Sequence, residues 1–263
     1  MASRTKQKEE ARARRLAEEQ ARSERARRQR RLRMLGGVVL GAVVLIAVAV
    51  AISSSGGKSG GLAKGKTASQ TISSVASLLS GIPQSGARLG SPKAPVTMTY
   101  YGDLECPICQ DFTLNGGFSQ LVSNDVKAGK VQILYRAFQT ATRDPTTFQT
   151  QQVAALAAGE QQRFWNFVEL FYHQQGTEGT SYVTESYLDG LAQQIPGLNI
   201  SKWKTDRNNA ALASQVLADG QTGTKLGVNG TPTLIFQGPK GTATPSSAVP
   251  SYSQLEQTVK KVT

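Results

Sequence analysis

The chain of 263 residues contains only two cysteines, and they stand three positions apart in Cys106-Pro107-Ile108-Cys109. Two sulfurs at this spacing come within bonding distance across one turn at the start of a helix, so the pair can alternate between dithiol and disulfide. A cysteine placed there faces unpaired backbone N–H groups and the positive end of the helix dipole, which stabilise its thiolate and lower its pKa. Such a thiolate is present at neutral pH and also leaves readily when its disulfide is attacked. Pro107 suits the first helical turn, where its missing N–H costs no hydrogen bond. On this reading Cys106 is the exposed nucleophile, and Cys109, one turn in, is the more buried partner that resolves a mixed disulfide. A structural zinc site needs about four ligands, and beyond the two cysteines the chain offers only His173. Neither a metal nor a cofactor is expected. A disulfide closing so short a loop would constrain little of the unfolded chain, which argues against a purely structural bridge.

The elements that must hold this pair are legible around it. Val96-Thr97-Met98-Thr99-Tyr100-Tyr101 is rich in β-formers and runs straight into Gly102-Asp103-Leu104-Glu105-Cys106. A helix is expected from Cys106 to about Val126, interrupted at Gly116-Gly117, and a buried strand over Lys130–Phe138. Residues 145–227 read as mostly helical, with Ala154, Ala155 and Ala158 in one helix and Phe164, Trp165, Val168, Phe171 and Tyr172 in the next. Thr184–Gln194 and Ser201–Leu226 give two further helices on either side of the Pro196-Gly197 break. Thr233-Leu234-Ile235-Phe236 returns as a strand, and Tyr252–Val262 closes as a helix. This order of strand, helix, strand, helical block, strand and helix is that of an α/β fold. The aromatic group Phe164, Trp165, Phe167 and Phe171 reads as helical core rather than as a peptide groove, and His173 is assigned no catalytic role.

A second motif bears on the first. In Gly227-Val228-Asn229-Gly230-Thr231-Pro232-Thr233-Leu234 a proline stands immediately before a strand, about 120 residues after the cysteine pair. Alone, a Thr-Pro at this place is an ordinary strand start. Together, a CxxC after one strand and a proline before another resemble the thioredoxin superfamily. The helical block between two parts of the sheet, the run APVTMTYYGDLECPICQDF, the pair Phe164-Trp165 and the segment GVNGTPTLIF more narrowly resemble the DsbA family of extracytoplasmic disulfide oxidoreductases. The resemblance covers about residues 92–263. It implies a thioredoxin-like fold with a helical insertion over about 145–227, a cis peptide at Thr231-Pro232 facing the cysteines, and a substrate-facing role for Thr231 and Pro232. Two positions depart from the family. Ile108 stands where strongly oxidising members have histidine, so Cys106 is expected to be less acidic than theirs. Tyr100 stands where many relatives carry a buried acid, which leaves Asp103 and Glu105 as candidate proton acceptors for Cys109. Each of these two carboxylates reads equally as a solvated loop acid, and one next to Cys106 would raise its pKa.

Charge and hydropathy divide the rest of the chain. The formal net charge of +12 is concentrated at the front, where residues 1–33 hold 13 Lys+Arg against 5 Glu. Glu10/Arg14, Glu18/Arg22 and Glu24/Arg28 are i,i+4 pairs of a solvated helix. The basicity therefore belongs to a tail, and no nucleic-acid partner is expected. Leu35–Ile52 follows with no charged residue, and eighteen helical residues span roughly 27 Å, close to a hydrocarbon core of about 30 Å. With the basic flank before it, this run predicts a single transmembrane anchor at 35–52, a cytoplasmic tail at 1–34 and the remainder outside the cytoplasm. The small-x-small triplets at Ala47-Val48-Ala49 and Ala49-Val50-Ala51 leave a cleaved signal peptide as the alternative. Residues 53–91 read as a flexible linker holding one short amphipathic helix over Ser69–Ser80, with a loop from Gln84 to Lys93.

The expected function is therefore a membrane-anchored thiol–disulfide oxidoreductase that introduces disulfides into cysteine-containing exported proteins. From the family resemblance, a membrane redox partner linked to quinone regenerates its disulfide. A reductase or isomerase using the same cysteines, and a thioredoxin-like binding module with an inert pair, are the alternatives.

Overall fold

The computed structural model describes residues 61–263. The basic tail and the apolar run at 35–52 lie outside the described residues, among which no helix is long and apolar enough to cross a membrane.

The β-rich segment before the cysteines forms a strand, β3, over Val96–Gly102. It is central: it pairs in parallel with β4 (Val131–Ala137), from Val96 opposite Val131 to Gly102 opposite Ala137. On its other side it runs antiparallel to β5 (Thr233–Gly238), with Tyr101 opposite Thr233. Alternation then sends Tyr100 and Tyr101 to opposite faces. Tyr100 reaches two helices, α2 (Pro107–Leu114) and α5 (Phe164–His173), through Cys109 and Tyr172. Tyr101 lies edge-on to Phe138 and borders α8 (Ala210–Lys225) at Gly223, where a Cβ would come within 2.6 Å of the Phe138 ring. The sheet is thus covered on both faces, and the active loop emerges from the carboxyl end of its central parallel pair.

The aromatic residues expected as core are core. Phe164, Trp165, Phe167 and Phe171 are fully buried, and Trp165 stacks on Phe118 with centroids 5.5 Å apart. The helix expected from Cys106 to Val126 is broken as the two glycines suggest. After α2, Gly117 passes so close to Tyr252 that no Cβ fits, and α3 (Phe118–Leu121) then runs into one π-helical turn at Val122–Val126.

Three expectations are corrected. The segment read as a loop carries a hairpin of β1 (Gln84–Ser85) and β2 (Arg88–Leu89), which extends the sheet antiparallel to β4. Strands of two residues are too short to show alternation. Tertiary bonds hold them: the Trp165 amide donates to Gln84 Oε1 at 3.0 Å and its indole to the Ala87 carbonyl at 3.2 Å. A short β6 (Gly241–Ala243) extends the opposite edge, giving the order β1-β2-β4-β3-β5-β6. The short helix begins earlier than expected, as α1 (Gly65–Leu79), and buries Val75 and Leu79 against the domain. Residues 65–91 therefore belong to the packed unit rather than to a free linker. Finally, the helix expected over Ser201–Leu226 is two, α7 (Ile200–Asp206) and α8, because Asn209 caps the second by accepting from the Ala211 amide. The block of α4 (Pro145–Gly159), α5, α6 (Glu185–Gln193), α7 and α8 forms the insertion between β4 and β5, and α9 (Tyr252–Val262) packs on β5 and β6.

Candidate active site

Cys106 is the N-cap of α2, extended at φ −72° and ψ 118°, and its sulfur accepts from the Cys109 amide at 3.4 Å. This is the geometry expected of a cap, with sulfur in the place of the usual oxygen. Pro107 occupies the first turn. Both cysteines stand as thiols; Cys109 is wholly enclosed as expected, but Cys106, expected to be exposed, is itself buried at 5%, and it is the Ile108 side chain between them that is exposed, at 46%.

The two sulfurs are driven in opposite directions. Cys106 falls from 9.0 to about 6, chiefly because the Cys109 thiol donates to its sulfur. Partial burial opposes that effect, and the Thr231 side chain with the Cys109 and Ile108 amides supports it. Burial holds Cys109 well above 9.0, and its bond to Cys106 adds to the rise. Cys106 is acidic here without the imidazole that Ile108 replaces.

The second motif meets the first. The Thr231-Pro232 peptide is cis, and the Cys106 thiol donates to the Thr231 carbonyl oxygen at 3.3 Å. The Thr231 hydroxyl is in contact with that of Thr140. The Thr231 carbonyl is thus the backbone group set against Cys106 from the second motif.

The candidate proton acceptors Asp103 and Glu105 are both buried in the loop before Cys106. Asp103 is fully buried, and its carboxylate accepts five hydrogen bonds. The amides of Thr140, Ala141 and Thr142 lie each at 2.9 Å from Oδ2, while the Thr142 hydroxyl at 2.5 Å and the Glu105 amide at 3.1 Å bind Oδ1. Those bonds fill its lone pairs. Asp103 is a tie between the active loop and the loop after β4, and its carbonyl also anchors Cys106 by accepting the amide at 3.1 Å. Glu105 is buried rather than solvated, and desolvation raises its carboxyl, with the neighbouring Asp103 charge adding to the effect. Neither carboxylate is hydrogen-bonded to Cys109. Tyr100 is buried in the place of the family's acid, its hydroxyl 3.4 Å from the Cys109 carbonyl, Thr113 and Tyr172, and burial raises its phenol.

Residues that carry no local signal complete the site. Gln175 donates from Nε2 to the carbonyls of Leu104 at 2.6 Å and Cys106 at 3.2 Å, and Tyr172 donates to the Asp103 carbonyl at 3.4 Å. Thr140, Thr142, Tyr172 and Gln175 lie 31 or more residues from the cysteines, and only the fold brings them there.

Fold and dithiol together define a class, the thioredoxin-like thiol–disulfide oxidoreductases with a helical insertion. A family model described as thioredoxin matches residues 84–260, and the chain belongs to that family. Among curated relatives, it is 24% identical over 174 residues to a probable disulfide bond formation protein D of Bacillus anthracis, spanning 66% of this chain and 76% of that one. It is 27% identical over 156 residues to disulfide bond formation protein D of Bacillus subtilis, spanning 56% and 65%. Among solved structures, oxidised BdbD from Bacillus subtilis superposes with a TM-score of 0.58 at 22% identity, over 70% of this chain and 96% of that one. Alpha-DsbA1 of Wolbachia pipientis gives 0.55 at 17%, over 70% and 92%. These structural likenesses speak for the fold.

Proposed function

We propose that this chain is a membrane-anchored, extracytoplasmic oxidoreductase that introduces disulfides into exported proteins by dithiol–disulfide exchange. The observation that carries the reading is Cys106, acidic at about 6 and set against the Thr231 carbonyl, with the Cys109 thiol enclosed behind it. A substrate thiolate attacks Cys106 Sγ of the Cys106–Cys109 disulfide, and Cys109 takes the electron pair and then a proton. A second substrate thiolate attacks the substrate sulfur of the mixed disulfide and releases Cys106 as a thiolate. The substrate gains one disulfide and the cysteine pair gains two electrons. A membrane redox partner, quinone-linked in the family the sequence resembles, then removes them. The names of the Bacillus relatives support the forming direction. The basic residues before the apolar run at 35–52 support an anchor with the catalytic domain outside, where oxidising surroundings maintain the disulfide.

The acidity of Cys106 acts on the direction of electron flow. At pH 7 a thiol at about 6 favours the reduced pair about tenfold over one at 9.0, which raises the two-electron potential by about 30 mV. Ile108, with no imidazole to add to this, favours a second reading as a reductase or isomerase. Equilibration of the protein with glutathione decides between them. The expected potential lies well above that of thioredoxin, and a value near about −270 mV refutes the oxidase reading. A reporter fused after Thr263 is expected to be active only outside the cytoplasm; activity inside refutes the topology.

A further inference from the structure

Gln175 stands just beyond α5, in the helical insertion, and is buried. Its side-chain nitrogen carries two hydrogens, and both go to the active loop. Nε2 donates to the carbonyl of Leu104 at 2.6 Å and to that of Cys106 at 3.2 Å. The amides of the same loop turn the other way. That of Glu105 donates to Asp103 Oδ1 and that of Cys106 to the Asp103 carbonyl, each at 3.1 Å. One residue thus takes the amides of this loop, and another takes its carbonyls. Pro107 sharpens the need for the second. Its nitrogen has no hydrogen, so the Cys106–Pro107 peptide can be held only through the Cys106 carbonyl. That carbonyl accepts from the Gln110 amide at 3.1 Å, the first bond of α2, and from Gln175.

Gln175 is itself fixed. The Tyr187 hydroxyl donates to the Gln174 carbonyl at 3.0 Å, while the Gln174 side chain accepts from the Ala63 amide at 2.9 Å and donates to Gln194 at 2.8 Å. Across the same contact, Gln110 Nε2 donates to the Tyr172 carbonyl at 2.7 Å. Two glutamine side chains therefore join the start of α2 to the end of α5, each donating to the backbone beside the other.

We propose that Gln175 is a positioning residue for the exchange: by holding the Leu104 and Cys106 carbonyls, it keeps Cys106 in the N-cap conformation from which its thiolate reacts. The backbone angle that aims the Cys106 carbonyl also decides whether its sulfur lies over the amides of the first turn. At φ −72° and ψ 118° the sulfur accepts from the Cys109 amide at 3.4 Å. Without Gln175 the carbonyl keeps only its Gln110 bond, and the cap loosens. The inference rests on the reading of Cys106 as the nucleophile and adds the residue of the insertion that sets its geometry.

The test removes the amide and keeps the bulk. In Gln175→Met, made in the full chain and reduced, the midpoint of Cys106 alkylation is expected to rise by about one pH unit, roughly the worth of one hydrogen bond to a charged group. From a wild-type value of about 6, that rise weakens the preference for the reduced pair about fivefold at pH 7 and lowers the potential measured against glutathione by about 20 mV. Gln174→Met is the control, because its side chain loses two bonds next door and makes none to the active loop. It is expected to lower the melting temperature and to leave midpoint and potential at their wild-type values. A Gln175→Met midpoint equal to that of wild type, or an equal rise in Gln174→Met, overturns the proposal while the oxidoreductase reading stands. Should Gln175→Met not fold, Gln175→Asn keeps a donor on a side chain one methylene shorter. It is expected to raise the midpoint by a smaller step, and no rise overturns the proposal. A wild-type midpoint near 9.0 removes the acidic nucleophile, and with it the reading beneath.

Discussion

Replacement of Cys109 separates hydrogen bonding from everything else that acts on Cys106. The largest influence lowering Cys106 from 9.0 to about 6 is the Cys109 thiol, ahead of Thr231 and the amides. Cys109→Ala removes that donor and keeps the backbone, so the Cys106 midpoint climbs toward 9.0. Cys109→Ser keeps a hydroxyl donor in the same place and holds the midpoint near that of wild type. The rate at one pH is a poor measure of this. At pH 7 the thiolate fraction is about 90% for a thiol at about 6 and about 1% for one at 9.0, a loss of up to about 100-fold. The more basic thiolate is also the better nucleophile, and a Brønsted slope of about 0.4–0.5 returns about 15- to 30-fold. Alkylation at pH 7 therefore slows by only about three- to sixfold at most, while the midpoint moves by up to three pH units. The assay is the full pH profile of alkylation by iodoacetamide, or thiolate absorbance in the ultraviolet, for all three proteins. A Cys109→Ala midpoint equal to that of wild type would show that the Cys109 thiol is not what makes Cys106 acidic, and the reasoning fails.

Two further outcomes follow from buried acids. Glu169 on α5 is enclosed, its Oε1 has no hydrogen-bond partner among the described residues, and burial raises its carboxyl from 4.5 to about 8. A raised folded pKa means stability is full below 4.5 and lost as pH rises toward 8, by on the order of 5 kcal/mol. In Glu169→Gln the fall in unfolding free energy between pH 5 and 8 is expected to flatten by most of that amount, and denaturant curves parallel to wild type refute it. Asp103→Asn is expected to lose about 3 kcal/mol, because an amide turned either way aims an NH2 at donors, either the three loop amides or the Thr142 hydroxyl and Glu105 amide. Thermal unfolding measures it, and a melting temperature unchanged from wild type contradicts the tie.

What the sequence made legible was local chemistry. Cys106 and Cys109 announce themselves by spacing, Pro107 by its place in the first turn, and Thr231-Pro232 by standing before a β-rich run. The sheet's central strands were readable because Val96–Tyr101, Val131–Ala137 and Thr233–Phe236 are dense in β-formers. The hairpin at 84–89 was not, because a side chain from α5 holds it and no pattern of its own does. The break before α8 has its signal in Asn209, a residue suited to an N-cap, which sits inside a run that otherwise reads as one helix. Asp103 is a third case: an acid three residues before a cysteine has the same local look whether it is free or tied, and four of its five hydrogen bonds come from residues 140–142.

The same distinction explains why Ile108 does less harm to the site than its identity suggests. An imidazolium acts on a thiolate as a charge, and a histidine is visible in a sequence. The donors that act on Cys106 here are neutral: a thiol, a Thr231 side chain and two backbone amides. Three of the four, the Cys109 thiol foremost, belong to the turn that the cysteines themselves begin, so the stabilisation follows from placing Cys106 at the N-cap of α2, where that thiol and the two amides reach it. Asp103 holds the loop from residue 103 to Cys106 against residues 140–142, Gln175 and Tyr172 hold the same loop from the other side, and Thr140 touches Thr231 across the site. The acidity of Cys106 and the position of the Thr231 carbonyl beside it thus both depend on one loop tied by buried side chains.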